Sequence, residues 1–412
     1  MRENRVKELY DYPFFRLAEL LEGIAPPADM EPVFLHIGEP QMAPPQLLGD
    51  TIAKNSHLWS KYPPVKGGTD YLQAISNWMD KRYGFSSGTV DPNKHALIVC
   101  GSREALYLAA ELAVERKRPH LKGHTKAAIC LPNPLYHVYY GGALMAGAEA
   151  ICVSATLDNG FIPDFEGLSE EILARTAMIY LCTPGNPVGT VASKTQLQTM
   201  IKLARKYDFI LAVDECYSEI YFEEPSTGGL EAAHDLDGCF DNVLVFNSLS
   251  KRSSAPGLRT GFVAGDEKLI ADFAMLRSYG GAQVPGPLAA AGAALWRDEN
   301  HVIANRAHYK KLVKIADETL GHLPGYIRPD AAFFLWLNVA KSGLSGVQAT
   351  QKLWDEGGVK VQAGKFMSRA VEDDTNNDIT PGDDYIRIAL VYDEATMKDG
   401  LARISRILGG HS

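Results

Sequence analysis

Short apolar runs recur along the first two-thirds of the chain, separated by segments whose apolar residues return every three to four positions. The runs at 96–100, 127–131, 150–153, 177–182, 209–213, 243–246 and 261–264 are continuous rather than alternating. That pattern predicts strands buried on both faces of a sheet. Between them, residues 103–117 put Leu106, Ala110 and Ala113 on one helical face, and residues 194–207 do the same with Leu197, Ile201 and Leu203. Strand and helix in alternation predict βαβ units and a mostly parallel sheet, an α/β arrangement. Such sheets bind ligands beyond the carboxyl ends of their strands.

After Gly265 the pattern changes. Residues 267–279 and 301–320 read as helices, with Gly280, Gly281 and a Pro285-Gly286-Pro287 break between them and an alanine-rich helix from about Leu288. Residues 333–337 and 385–390 read as strands. The organisation expected is an N-terminal arm over 1–45 that contributes to a small domain, a large domain over 46–285, and a small C-terminal α+β domain over 286–412. The acidic stretch 372–384 reads as a surface loop.

Composition narrows the partners. The chain has 412 residues, 46% hydrophobic and 22% charged, which is ordinary for a soluble globular enzyme with an ample core. A net charge of -9 argues against nucleic acid or an anionic membrane as the main partner, while a local field still allows an anionic small substrate. The six cysteines form no Cys-x-x-Cys pair, so reduced thiols in a cytoplasmic protein are expected and no metal spacing is seen. The first ten residues lack the apolar core of a signal peptide. No run approaches the ~20 apolar residues that span a bilayer.

The candidate chemistry falls at strand ends. Gly101-Ser102-Arg103 follows one strand and opens a helix, where free N–H groups and the helix dipole favour an anion. Pro184-Gly185-Asn186-Pro187 follows another; it reads as a tight turn, or as one that aims Asn186 at a ligand oxygen. Asp214 ends a buried strand, where a carboxylate is costly unless paired. It reads as a helix cap, or as the partner of a cationic ring N–H with Tyr217 close by. Lys251, among hydroxyl residues and eight positions before Arg259, suits a Schiff base to an aldehyde cofactor, with Ser248 and Arg259 on its phosphate. Tyr136 reads as a core aromatic or as a ring that stacks on a flat ligand. Arg387, in a strand, reads as a surface ion pair or as a bidentate carboxylate clamp.

Taken in order, Gly101-Ser102, Tyr136, Asn186-Pro187, Asp214-x-x-Tyr217, Ser248-x-x-Lys251, Arg259 and Arg387 resemble the class I/II aminotransferases, fold type I enzymes that use pyridoxal 5′-phosphate. The resemblance runs from about Tyr10 to Leu408. It implies a seven-stranded, mostly parallel sheet in a large domain and a smaller α+β domain. A narrower resemblance, to the proteobacterial N-succinyldiaminopimelate aminotransferases, rests on Ile37-Gly38-Glu39-Pro40, Gly101-Ser102-Arg103-Glu104, Asp158-Asn159-Gly160-Phe161, Asp214-Glu215-Cys216-Tyr217 and Ser248-Leu249-Ser250-Lys251-Arg252-Ser253. Gly280-Gly281-Ala282, Ala332 (where glycine is usual) and the long acidic stretch depart from the pattern.

The resemblance implies a role for each residue. Lys251 would hold the cofactor and then move a proton at the substrate Cα. Asp214 would face the pyridine nitrogen, Asn186 and Tyr217 the phenolic oxygen, and Tyr136 the ring. Ser102, Arg103 through its backbone, Ser248 and Arg259 would bind phosphate. Tyr62 would reach the phosphate of a neighbouring subunit, which implies a homodimer. Arg387 would hold the substrate α-carboxylate, with Asn186 nearby and Gly38 leaving room. Arg16, Lys66 and Lys365 are candidates for a distal carboxylate. The substrates implied are N-succinyl-L,L-diaminopimelate with 2-oxoglutarate or glutamate. Another aminotransferase of the class (aspartate, aromatic or alanine type) and a cofactor-dependent C–S lyase stand as alternatives.

Overall fold

The computed structural model describes residues 4–121, 126–372 and 378–409. Seven strands form the main sheet: β1 (Ala96–Val99), β2 (Ala128–Asn133), β3 (Glu149–Ser154), β4 (Thr176–Cys182), β5 (Ile210–Asp214), β6 (Val243–Ser248) and β7 (Gly261–Gly265). Their order is β1-β7-β6-β5-β4-β2-β3. All neighbours are parallel except β7, which runs antiparallel to β1 and β6. Each apolar run of the sequence is one of these strands, and all but the edge strand β3 are buried at every residue.

Helices cover both faces, as the continuous runs require. Along β5 the pleat sends Leu211 and Val213 to one core and Ile210 and Ala212 to the other. Asp214 and Glu215 continue the alternation. Asp214 meets Tyr139 on one face, and Glu215 accepts hydrogen bonds from the Tyr83 hydroxyl and the Gly229 N–H on the other, both at 2.6 Å. Burial holds the Glu215 carboxyl up to about 7.

A second core gathers Val33, Leu35, the helix Asn300–Leu320, the helix Glu394–Leu408 and a three-stranded antiparallel sheet. That sheet is β8 (Phe334–Asn338), β9 (Gln362–Ala363) and β10 (Tyr385–Ala389), in the order β9-β10-β8. Val33–Phe34 pairs in parallel with Val359–Lys360, which ties the N-terminal segment to this second core. The helix Gly286–Arg297 begins inside the Pro-Gly-Pro break, because a proline in a first helical turn loses no intrahelical bond. Although it follows residue 285, it packs Leu295 and Trp296 into the main-sheet core with Tyr71 and Trp78. Within the acidic stretch, 373–377 lie outside the described residues, and Val371–Glu372 pairs with Asp378–Ile379.

Candidate active site

A cavity of about 650 Å³ lies between the carboxyl ends of the main sheet and the second core. Gly38, Ser102, Arg103, Tyr136, Asn186, Asp214, Tyr217, Ser248, Lys251, Arg259 and Arg387 all line it. Tyr62 does not; its side chain is fully exposed. The N-terminal segment adds Tyr12, Pro13 and Phe14 to the wall.

The floor is built from strand ends. Asp214 closes β5 and is 4% exposed. Its Oδ2 accepts from the Tyr139 hydroxyl at 2.7 Å and its Oδ1 from the Cys216 N–H at 3.2 Å. Burial raises its pKa, opposed by those hydrogen bonds and by the charge of Lys251. Tyr139 is itself buried and stacked on Tyr180 at 4.5 Å between centroids, so the carboxylate has a rigid support. Tyr217 is packed edge-on against Phe333 and Phe334.

Three loops bring Ser102, Ser248 and Arg259 to the cavity. Gly101, at φ +77°, caps the helix Ser102–Lys117. A Cβ on it would meet Arg259 Nη2 at 2.5 Å, so only glycine lets the guanidinium lie against the helix start. Arg259 also donates to the carbonyls of Pro256 and Cys100 at 2.8 and 3.1 Å. Ser248 ends β6 and accepts from the Ser250 N–H at 3.3 Å, capping the short helix Leu249–Arg252. The Cys216 thiol donates to Ser102 Oγ at 2.9 Å and lies 3.8 Å from Ser248 Oγ.

Lys251 projects from that short helix. Its Nζ donates to the Gly38 carbonyl and stands 5.6 Å from the centroid of Phe333. Burial pulls its amine down to about 8, with the cation of Arg387 acting in the same direction. Opposite the floor, Arg387 of β10 donates to Asn186 Oδ1 at 2.9 Å and to the His36 carbonyl at 2.6 Å, and its guanidinium lies 4.5 Å from the centre of Phe334. Burial lowers it to about 10, so it stays cationic near neutrality. A Cβ on Gly38 would come within 2.4 Å of Phe334, which explains why that wall carries no side chain.

Several residues stand differently from the simplest reading of the sequence. The Arg103 side chain, and not only its backbone, lines the cavity, and its Nε donates to the Tyr136 hydroxyl at 2.8 Å. Arg16, Lys66 and Lys365 do not line it; Arg16 pairs with Asp11 and Lys365 with Asp383. Tyr139, Cys216 and Gln362 line it without having been singled out. Tyr139 had one signal, its place one helical turn after Tyr136. Gln362 had none, because its position depends on strand pairing.

The donor set suits pyridoxal 5′-phosphate. Arg103, Arg259 and Arg387 line one cavity, and among the described residues none has an ion-pair partner. Arg259, two serines and a helix start line the same cavity, a donor set that suits a phosphate. A buried carboxylate suits a cationic ring nitrogen, and a lysine amine stands in the same cavity.

The comparisons agree with this geometry. The family model "Aminotransferase class I and II" matches residues 33–404, so the chain belongs to that family. It is therefore a pyridoxal-phosphate-dependent aminotransferase of fold type I. A solved aminotransferase from Neisseria meningitidis is 38% identical, with a TM-score of 0.88 over 97% of this chain and 98% of that one. The aminotransferase AspB from Helicobacter pylori is 32% identical, with a TM-score of 0.85 over 97% and 99%. An LL-diaminopimelate aminotransferase from Moorella thermoacetica is 27% identical over 98% of both chains.

Proposed function

We propose that the chain transfers an amino group between N-succinyl-L,L-diaminopimelate and 2-oxoglutarate, forming glutamate and the corresponding 2-oxo acid or the reverse, in the route to diaminopimelate and lysine. It does so as a cytoplasmic homodimer in which the exposed Tyr62 reaches the neighbouring cavity. The observation that carries the reading is one cavity holding a lysine amine, a buried carboxylate and three arginines without ion-pair partners among the described residues. One arginine suits the phosphate, and two remain for the carboxylates of a polycarboxylate substrate. The relatives named LL-diaminopimelate aminotransferases support a donor of this skeleton. They also favour a second reading, in which the donor is LL-diaminopimelate itself.

When bound, pyridoxal 5′-phosphate supplies an aldehyde carbon for the amino group and a ring that withdraws electrons. The chain does the rest. Asp214, fixed by Tyr139 and Cys216, keeps a proton on the ring nitrogen. Asn186 and Tyr217 would donate to the phenolic oxygen, and Tyr136 would hold the ring. Ser102, Ser248, Arg259 and the Arg103 N–H hold phosphate. Arg387 holds the α-carboxylate, which fixes the Cα–H bond relative to Lys251. Lys251 Nζ takes that proton and returns it; with its pKa near 8, a useful fraction of the amine is free base near neutrality.

A half-reaction screen tests the reading. N-succinyl-L,L-diaminopimelate, LL-diaminopimelate, glutamate, aspartate, alanine and phenylalanine are each added to the holoenzyme, and cofactor absorbance is followed. Fast conversion by the N-succinyl compound and by glutamate is expected. Conversion by LL-diaminopimelate alone would move the assignment to the second reading. Pyruvate and ammonia released from cystathionine, with absorbance unchanged by glutamate, would replace it with a lyase.

A further inference from the structure

The small sheet places Gln362 of β9 directly opposite Arg387 of β10. Cross-strand partners in an antiparallel pair share a face, with Cβ atoms ~5 Å apart. Gln362 therefore stands beside the guanidinium, and both line the cavity. Gln362 is 1% exposed and Arg387 5%. Yet Gln362 Nε2, Gln362 Oε1 and Arg387 Nε have no hydrogen-bond partner among the described residues. A buried polar atom left unpaired costs about 1–3 kcal/mol, so unpaired atoms on two adjacent residues that line a cavity indicate a group that the cavity receives.

We propose that Gln362 is a substrate-binding residue, whose amide Nε2 donates to the same α-carboxylate that Arg387 clamps. Nη1 and Nη2 of Arg387 each spend one N–H, on Asn186 and on the His36 carbonyl, and each keeps a second. Arg387 Nε and Gln362 Nε2 make no hydrogen bond among the described residues, and a carboxylate has two oxygens to offer such donors. An acidic side chain at 362 would neutralise the clamp, and an aliphatic one would leave an oxygen of the substrate unpaired. The neutral amide adds a donor without a charge. A substrate donor acting on Gln362 Oε1 would reverse that ranking. Trp336, opposite Arg387 on its other side, also has an unpaired Nε1 but does not line the cavity, so the proposal stops at Gln362.

The proposal rests on Arg387 as the α-carboxylate clamp, and the test separates the two. Holoenzyme carrying Gln362→Leu, Gln362→Glu or Arg387→Gln is titrated with L-glutamate and with N-succinyl-L,L-diaminopimelate. The half-saturating concentration and the limiting rate are read from cofactor absorbance, beside the melting temperature and the dissociation constant for pyridoxal phosphate. Gln362→Leu should raise half-saturation ~10- to 100-fold for both amino acids, the loss expected for one hydrogen bond to a charged group. The limiting rate and cofactor affinity should change less than about threefold. Gln362→Glu, nearly isosteric and so the safer variant for folding, should bind more weakly still. A Gln362→Leu value within twofold of wild type, with Arg387→Gln impaired, would overturn the role of Gln362 alone. Equal binding in all three variants would overturn the clamp and the proposal together. Tighter binding by Gln362→Glu than by Gln362→Leu would show that Oε1 accepts a donor, which also overturns it.

Discussion

At the end of the cavity beneath β5, Asp214 takes hydrogen bonds from Tyr139 and Cys216, Ser248 from Ser250, and Ser102 from Cys216. At the end beneath the small sheet, Arg387 keeps an unpaired Nε, and both polar atoms of Gln362 have no partner among the described residues. The first end is organised by the protein itself, which suits a cofactor that stays. The second leaves polar atoms unpaired, which suits substrates that enter and leave each turnover. Preorganised donors at the floor cost no rearrangement during the reaction. Unpaired donors at the clamp cost stability in the free enzyme and give that free energy back on binding.

The comparison can be broken at its centre first. Lys251→Ala should lower turnover by at least ~10⁴-fold, the upper range for a positioned proton-transfer group, while phosphate contacts keep the cofactor bound. Near-normal turnover would remove Lys251 from the chemistry. Asp214→Ala should reduce kcat by about 10²–10⁴-fold with a smaller change in KM, because the charge matters most in the transition state. A loss confined to KM would place Asp214 at the substrate end instead.

The amine of Lys251 gives a pH test that needs no turnover. A lysine held near 8 is protonated and unreactive below that pH and a free base above it. The rate at which cofactor-free protein recaptures pyridoxal phosphate should therefore rise with pH around a midpoint near 8, rather than near the ordinary 10.5. An increase that continues toward 10.5 would mean the amine is not desolvated.

The smallest effect concerns support for the clamp. Ala332 has φ +64° and is fully buried just before Phe333 and Phe334, and its N–H donates to the Ile220 carbonyl at 2.7 Å. An L-residue in that conformation is strained by about 1–2 kcal/mol, partly offset in glycine by its greater freedom when unfolded. Ala332→Gly should stabilise the protein by about 0.5–1 kcal/mol, raising Tm by ~1 °C, with kinetics unchanged. A lower Tm would show that the Ala332 methyl contributes more by packing than its backbone loses by strain.

The two ends also differed in how far the chain announced them. Continuous apolar runs marked all seven strands of the main sheet, because a strand buried on both faces needs no tertiary partner to look buried. Asp214, Ser248-x-x-Lys251 and Gly101-Ser102 were legible for the same local reason: each sits within a few residues of a strand end, and strand ends point to the ligand side. The helix Gly286–Arg297 was legible as a helix, but which core it joined was not, since its alanines fit either. Tyr139 could not be chosen over its neighbours until its hydroxyl was seen on Asp214.

Sequence alone determined the sheet and the strand-end residues that line the cavity, Lys251 among them, all set by local pattern and short spacings. Tertiary structure alone decided that Arg103 would turn its side chain into the cavity, that Gln362 would stand beside Arg387, and that Tyr139 would hold Asp214. Each of those depends on contacts between segments 33 to 75 residues apart or on strand register, and no residue carries a local mark of a partner so far along the chain.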